Sequence, residues 1–167
     1  MTAKRTRTPR HWRVSALTLT ALYLAFPGAA QACSLCSCSA STAGVSFGVY
    51  DANAPTPDDS VGTVTIDCTG LIALLGSIEV SASPGSSGHA AARTMRNGAD
   101  QLSYNLFVDP ARTVVFGNGA GGTQTITAPL NGLLIFRQAV LIFGRVAARQ
   151  RVRPGNYSDS IIITVTY

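Results

Sequence analysis

Short apolar stretches, each about a strand long and each closed off by Gly, Ser, Thr, Asn or Pro, follow one another from residue 43 to residue 167. Apolar residues at helical spacing are nearly absent, and this combination restricts the chain to an all-β domain. Candidate strands run over Ala43 to Tyr50, Val61 to Cys68, Ser77 to Ala82, Gln101 to Val108, Thr113 to Phe116, Thr123 to Ala128, Ala139 to Val146 and Tyr157 to Tyr167. Their spacing suggests a sandwich. The polar run 51–60, the Ser/Gly/Ala-rich run 83–92 and the Gly-rich run 117–122 read as connections.

The last candidate strand sets the functional question. Ile161, Ile163, Val165 and Tyr167 fall on one side of it, with Ile162, Thr164 and Thr166 on the other. The sequence then stops at Tyr167 without a polar tail. A β-prone sheet edge of this kind is normally blunted or covered, and the expectation is that another chain covers it.

The first residues do not belong to the fold. Residues 1–13 carry Lys4, Arg5, Arg7, Arg10 and Arg13 and no acid; an apolar run from Val14 to Phe26 follows, then Pro27-Gly28, then Ala-Gln-Ala at 30–32. This is the pattern of a secretory signal peptide over 1–32, leaving 33–167 as the exported domain. The apolar run is shorter than the roughly 18 to 20 residues that span a bilayer, so no integral membrane segment is expected after cleavage. Five of the thirteen basic residues leave with the leader while all eight acids stay, so the exported part carries no net charge. A basic surface for nucleic acid is therefore not expected, and Arg145, Arg149, Arg151 and Arg153 read as a solvated strand or loop face.

Cys33, Cys36, Cys38 and Cys68 all lie in the exported part, where an even count favours two disulfides. Three pairings are possible. Cys68 closes the strand-like Val61–Cys68 and needs a partner from the N-terminal cluster; Cys38 is favoured, with Cys33 and Cys36 left as a short local loop. A redox Cys-x-x-Cys or a thiolate metal site lacks support, because no βαβ pattern follows and His89 is the only exported histidine. Acylation of Cys33 is disfavoured by the preceding Ala-Ala-Gln-Ala, which lacks a lipobox pattern.

Sites for chemistry are missing from the sequence. His89 has no acid near it in sequence, and Asp58 and Asp59 sit in a Pro-rich polar turn. The Gly-rich run at 117–122 has no following Lys-Ser/Thr and opens no helix, so it reads as a turn and not as a phosphate loop. Asn156-Tyr157-Ser158 matches a glycosylation acceptor too short to carry a function. No enzyme, no metal and no cofactor is expected. Residues 71–80 and 133–144 are more apolar than alternation requires, which fits either burial or a surface awaiting a partner.

Several motifs occur together and in order: Phe47-Gly-x-Tyr-Asp51 after the cysteine cluster, Arg93-x-Met95, Leu102-x-Tyr104-Asn105-Leu106 and Gly155-x-Tyr157-x-Asp159 before the final strand. With them the exported chain resembles the spore coat protein U domain family, which includes pilus subunits of the archaic chaperone-usher type. The resemblance implies an incomplete immunoglobulin-like β-sandwich, completed by a donor strand lent first by a periplasmic chaperone and then by a neighbouring pilus subunit, with delivery through an outer-membrane usher. It implies passage through the periplasm to the cell surface, and a disulfide between Cys38 and Cys68. Ile161, Ile163, Val165 and Tyr167 would then line or border the acceptor groove and meet the chaperone. Arg93, Met95, Leu102, Tyr104 and Asn105 match structural positions of the family.

One departure qualifies the role. A donor extension needs a strand-length alternating run, and cleavage after Ala32 leaves only Cys-Ser-Leu-Cys-Ser ahead of Cys38. A subunit that accepts a strand and gives none suits a minor or terminal position. The competing expectation is a stand-alone secreted coat or binding module whose sandwich is complete, its edge filled by residues 123–130 or by the N-terminal segment.

Overall fold

In a computed structural model of the chain, residues 35–71, 76–130 and 135–167 are described. They form eight strands: β1 Leu35–Ala43, β2 Asp58–Leu71, β3 Gly76–Ala82, β4 Arg93–Asn97, β5 Asp100–Phe107, β6 Ile126–Leu130, β7 Ile135–Val146 and β8 Ile163–Thr166. A 3-10 turn at Gly85–Ser87 joins β3 to β4. The expected leader at 1–32, Cys33 and residues 72–75 of the apolar run 71–80 lie outside the described residues, as does the side chain of Cys36.

The strands build two antiparallel sheets, one in the order β1-β2-β7-β5-β4 and one in the order β6-β3-β8. The chain is thus all-β, with the layered architecture of an immunoglobulin-like sandwich. Period-two alternation decides the faces. On β2, Val64, Ile66 and Cys68 point inward, and on β7 Phe136, Val140, Ile142 and Val146 do; Ile78 and Val80 of β3 and Leu102, Tyr104 and Leu106 of β5 meet them. Fully burying side chains of this size stabilises by roughly 1.5 to 3 kcal/mol each.

Four strands depart from the sequence reading. Residues 44–50, expected as a strand, make no ladder; they leave β1 and cross the inner face of the larger sheet. That path needs two glycines: a Cβ on Gly62 would lie 2.8 Å from both the Ala43 carbonyl oxygen and Val45 Cγ2, and one on Gly144 would lie 2.5 Å from Val45 Cγ1. Paired residues instead begin upstream, at Leu35, where Ser and Cys residues gave little β signal. The expected strand 113–116 is reduced to isolated bridges, Phe107 with Val115 and Phe116 with Gln124. β4 forms where no strand is expected, and the expected strand 157–167 holds regular pairing only over Ile163–Thr166.

Candidate strand-acceptor groove

The C-terminal segment keeps its alternation although little of it is regular strand. Tyr157, Asp159, Ile161, Ile163 and Val165 are half-buried, and Ser158, Ser160, Ile162, Thr164 and Thr166 are exposed. β8 pairs with β3 alone, in the register Ala82 with Ile163 and Val80 with Val165. Just upstream, the Ser83 N–H donates to the Ile162 carbonyl at 2.9 Å and the Ile162 N–H donates to Ser83 Oγ at 2.9 Å. Antiparallel pairs alternate between bonded and non-bonded. Since Ile162 is on the bonded phase, Thr164 and Thr166 turn their amides to β3, while Ile163 and Val165 turn theirs to the open side.

Beside that open side is a cleft of about 850 Å³. One wall is residues 42–50 and the other residues 152–159 with Ile161 and Ile163; Met95, Leu102, Tyr104, Leu106, Ile142 and Val146 line its floor. No backbone hydrogen bond among the described residues joins the two walls. The cleft is therefore lined by core residues yet lacks a ladder across it.

Each wall is fixed by side chains. In the first, Val45, Phe47 and Tyr50 pack on the core, with the Phe47 ring set edge-on to Tyr104 at 6.1 Å between centroids. The Tyr50 hydroxyl donates to the Ala147 carbonyl at 2.8 Å and accepts from the Gln150 N–H at 2.7 Å, and Ser60 Oγ donates to the Ser46 carbonyl at 2.6 Å. In the second, Asp159 is the anchor. Its Oδ2 accepts from the Tyr104 hydroxyl at 2.7 Å, and its Oδ1 accepts from the Ser86 and Ser160 N–H groups, each at 2.9 Å. Burial alone would raise the Asp159 pKa, but the donations from Ser86, Tyr104 and Ser160 outweigh it and hold the carboxyl below the usual range. Burial first, and then the bond to Asp159, pushes the Tyr104 hydroxyl well up, so it stays a proton donor.

Under this wall lies Arg93, which is fully buried. Its Nη1 donates to the carbonyls of Ala90 at 3.0 Å and Phe116 at 2.8 Å and to Asn105 Oδ1 at 3.0 Å; its Nη2 donates to the Ser83 carbonyl at 2.8 Å. Burial lowers its pKa, opposed by Asp159 among others, and a guanidinium remains charged regardless. Arg93 also explains why Ile162 bonds the side chain of Ser83, whose carbonyl is turned to the guanidinium. The Ser158 and Arg96 backbones exchange both hydrogen bonds, at 2.8 and 3.1 Å, holding the wall to β4.

Of the residues singled out for the groove, Ile161 and Ile163 line the cleft; Val165 packs on the core past its end, and Tyr167 is 40% exposed. Cys38 and Cys68 are disulfide-bonded at directly opposed positions of β1 and β2. The arginine run is split: Arg145 on β7 makes a two-point ion pair with Asp59 at 2.7 and 2.8 Å, and Arg149, Arg151 and Arg153 lie in the loop that follows. Sequence reasoning found Arg93 and Asp159 only as motif positions; an isolated arginine between small residues gives no sign of burial. Among the described residues no group of three or more His, Cys, Asp or Glu side chains is placed to hold a metal ion, and no helix is long and apolar enough to cross a membrane.

The sequence pattern of the spore coat protein U domain matches residues 25–164. Protein U of Myxococcus xanthus is 32% identical over 132 residues, which cover 74% of this chain and 71% of that protein. Among solved structures, a chain of the CsuC–CsuE chaperone–tip adhesion subunit pre-assembly complex, from the archaic chaperone-usher Csu pili of Acinetobacter baumannii, superposes with a TM-score of 0.53 at 19% identity. That match covers 80% of this chain, which spans 40% of the solved one, and it speaks for a shared fold. The protein is accordingly structural and not an enzyme, and the chain belongs to the spore coat protein U domain family.

Proposed function

We propose that this protein is a structural cell-surface or pilus subunit, exported after removal of residues 1–32, whose domain 33–167 is completed by a strand from another chain. A periplasmic chaperone supplies the strand first and a neighbouring subunit later, with an outer-membrane usher between the two. The incoming strand enters the cleft beside Ile161, Ile163 and β8, bonds the outward amides and carbonyls of Ile163 and Val165, and sends alternate side chains down onto Leu102, Tyr104 and Ile142. That is donor-strand complementation, in which main-chain bonds supply affinity and pockets for alternate residues supply specificity.

The observation that carries this reading is the unpaired outer side of β8 next to a cleft floored by core side chains. The solved complex, in which a chaperone holds a tip adhesion subunit before assembly, is consistent with it. A minor or terminal place in a fibre is favoured because β1 is paired with β2 from Leu35 onward, leaving little free chain beyond the cleavage site to serve as a donor.

The spore-coat description of the family favours a second reading, a stand-alone coat protein with a complete sandwich. The two segments expected to close it are engaged elsewhere: β6 occupies the opposite side of β3, and β1 belongs to the other sheet. Periplasmic expression of residues 33–167 separates the readings. The assembly reading expects degradation or aggregation, relieved by a cognate chaperone or by a strand fused after Tyr167. A soluble monomer with a sharp melting transition, unaffected by either, supports the coat reading.

A further inference from the structure

Among the described residues the two sheets have four outer edges, of which two are blunted and a third is the open one beside the cleft. β4 exchanges backbone bonds with Ser158, β6 carries Pro129, and β8 borders the cleft. Proline or a covering segment is how sheet proteins blunt edges. The fourth edge, β1, has β2 as its only ladder neighbour, and over its nine residues, Leu-Cys-Ser-Cys-Ser-Ala-Ser-Thr-Ala, it has neither a proline nor a charge. The disulfide from Cys38 to Cys68 ties its middle to β2, so this edge cannot peel away.

The phase of its outward groups follows from the Cα separation of Cys38 and Cys68, 4.0 Å. A short separation marks a non-bonded antiparallel pair, for which about 4.5 Å is usual against about 5.5 Å for a bonded one. Cys36, Cys38, Ala40 and Thr42 are therefore in the phase whose amides and carbonyls point away from β2.

We propose that β1 is a self-association edge, at which a second copy of this chain adds its own β1 antiparallel about a two-fold axis through Ser39. In that register Cys36 bonds Thr42 of the other copy and Cys38 bonds Ala40, so every outward group of the four residues finds a partner. Ser39 meets Ser39 and Ser37 meets Ser41, small hydroxyls that tolerate direct opposition. An isologous contact of this kind closes on itself as a dimer. No like charges oppose one another: the nearest, Asp67, lies one strand back and is paired with Arg137. The proposal is independent of the cleft reading, since β1 and β8 are edges of different sheets.

The test measures mass by sedimentation equilibrium on the exported chain, with and without a strand fused after Tyr167. A dimer is expected in the fused form, where association through the cleft is blocked. Ala40→Pro removes one outward amide and no β1–β2 bond, and should shift the mass to that of one chain while leaving a folded protein with a single cooperative melting transition that no longer depends on concentration. Ser39→Cys should give a disulfide-linked dimer under mild oxidation and Ser41→Cys should not, because Ser41 faces Ser37. This pair still decides the matter if the proline variant fails to fold. A fused form that stays monomeric, a dimer indifferent to Ala40→Pro in a folded protein, or equal cross-linking at 39 and 41 would overturn the proposal.

Discussion

Replacing Arg93 by Met should remove more stability than any single change on the surface. Its guanidinium serves four acceptors, the carbonyls of Ser83, Ala90 and Phe116 and Asn105 Oδ1, all within 3.0 Å. Hydrogen bonds from a charged donor contribute about 1.5 to 3 kcal/mol each, but the sum overstates the loss because the buried charge carries a desolvation penalty of several kcal/mol that Met removes. What remains is the stranding of the acceptors. Phe116 is fully buried, and its carbonyl has no route to water. Losing one partner of such a buried charged network typically costs about 3 to 5 kcal/mol, against a total of about 5 to 15 for a domain. Urea unfolding of the strand-fused protein at neutral pH reads this directly: with a slope near 2 kcal/mol per molar, the midpoint should fall by about 2 M. Arg93→Lys keeps the charge but offers one nitrogen in place of two, so it should recover part of the loss only. A fall of less than about 1 kcal/mol for Arg93→Met would refute the reasoning, because it would mean the carbonyls are satisfied without the guanidinium.

Three other outcomes are expected. Reducing or deleting the Cys38–Cys68 bond reopens a loop of sequence separation 30 and should cost about 3 to 4 kcal/mol in the chain-entropy picture, seen as a lower urea midpoint for the Cys38→Ala/Cys68→Ala protein. Gly62→Ala should destabilise by about 1 to 3 kcal/mol, since its Cβ meets the Ala43 carbonyl, which cannot swing aside as a side chain can; Gly144→Ala, which meets only Val45 and Phe47 side chains, should cost less in the same melting assay. Asp159 and Asp59 are both held below the ordinary carboxylate range, Asp59 chiefly by its bond from Arg145. A depressed folded-state pKa means stability that is present above about pH 4 and is lost as pH falls through the folded value. Asp159→Asn should therefore flatten the acid limb of a stability–pH curve while leaving the neutral plateau lower.

The sheet positions that alternate strictly are legible in the sequence. Val64, Ile66 and Cys68 on β2, or Leu102, Tyr104 and Leu106 on β5, announce their faces by composition alone. Residues 44–50 carry the same alternation and are no strand, because Gly62 and Gly144 on two other strands open a path across the sheet; nothing within 44–50 encodes that. β1 was missed for the converse reason. Its Ser and Cys residues have little intrinsic strand preference, and pairing with β2 and the disulfide override it. The cleft was half legible: periodicity put Ile161 and Ile163 on one face of the last strand and the family resemblance gave that face its expected role, whereas the anchor Asp159 and the buried Arg93 depend on contacts with Tyr104, Ser86 and Ser83 that no local pattern announces.

The central claim is that the outer side of β8 is unpaired until another strand arrives, and amide hydrogen exchange at single residues addresses it most directly. In the monomeric exported chain, Ile163 and Val165 should exchange fast while Thr164 and Thr166, bonded to β3, exchange slowly; fusing a strand after Tyr167 should slow Ile163 and Val165 to match. Protection of Ile163 and Val165 in the chain alone, equal to that of Thr164 and Thr166, would contradict the account.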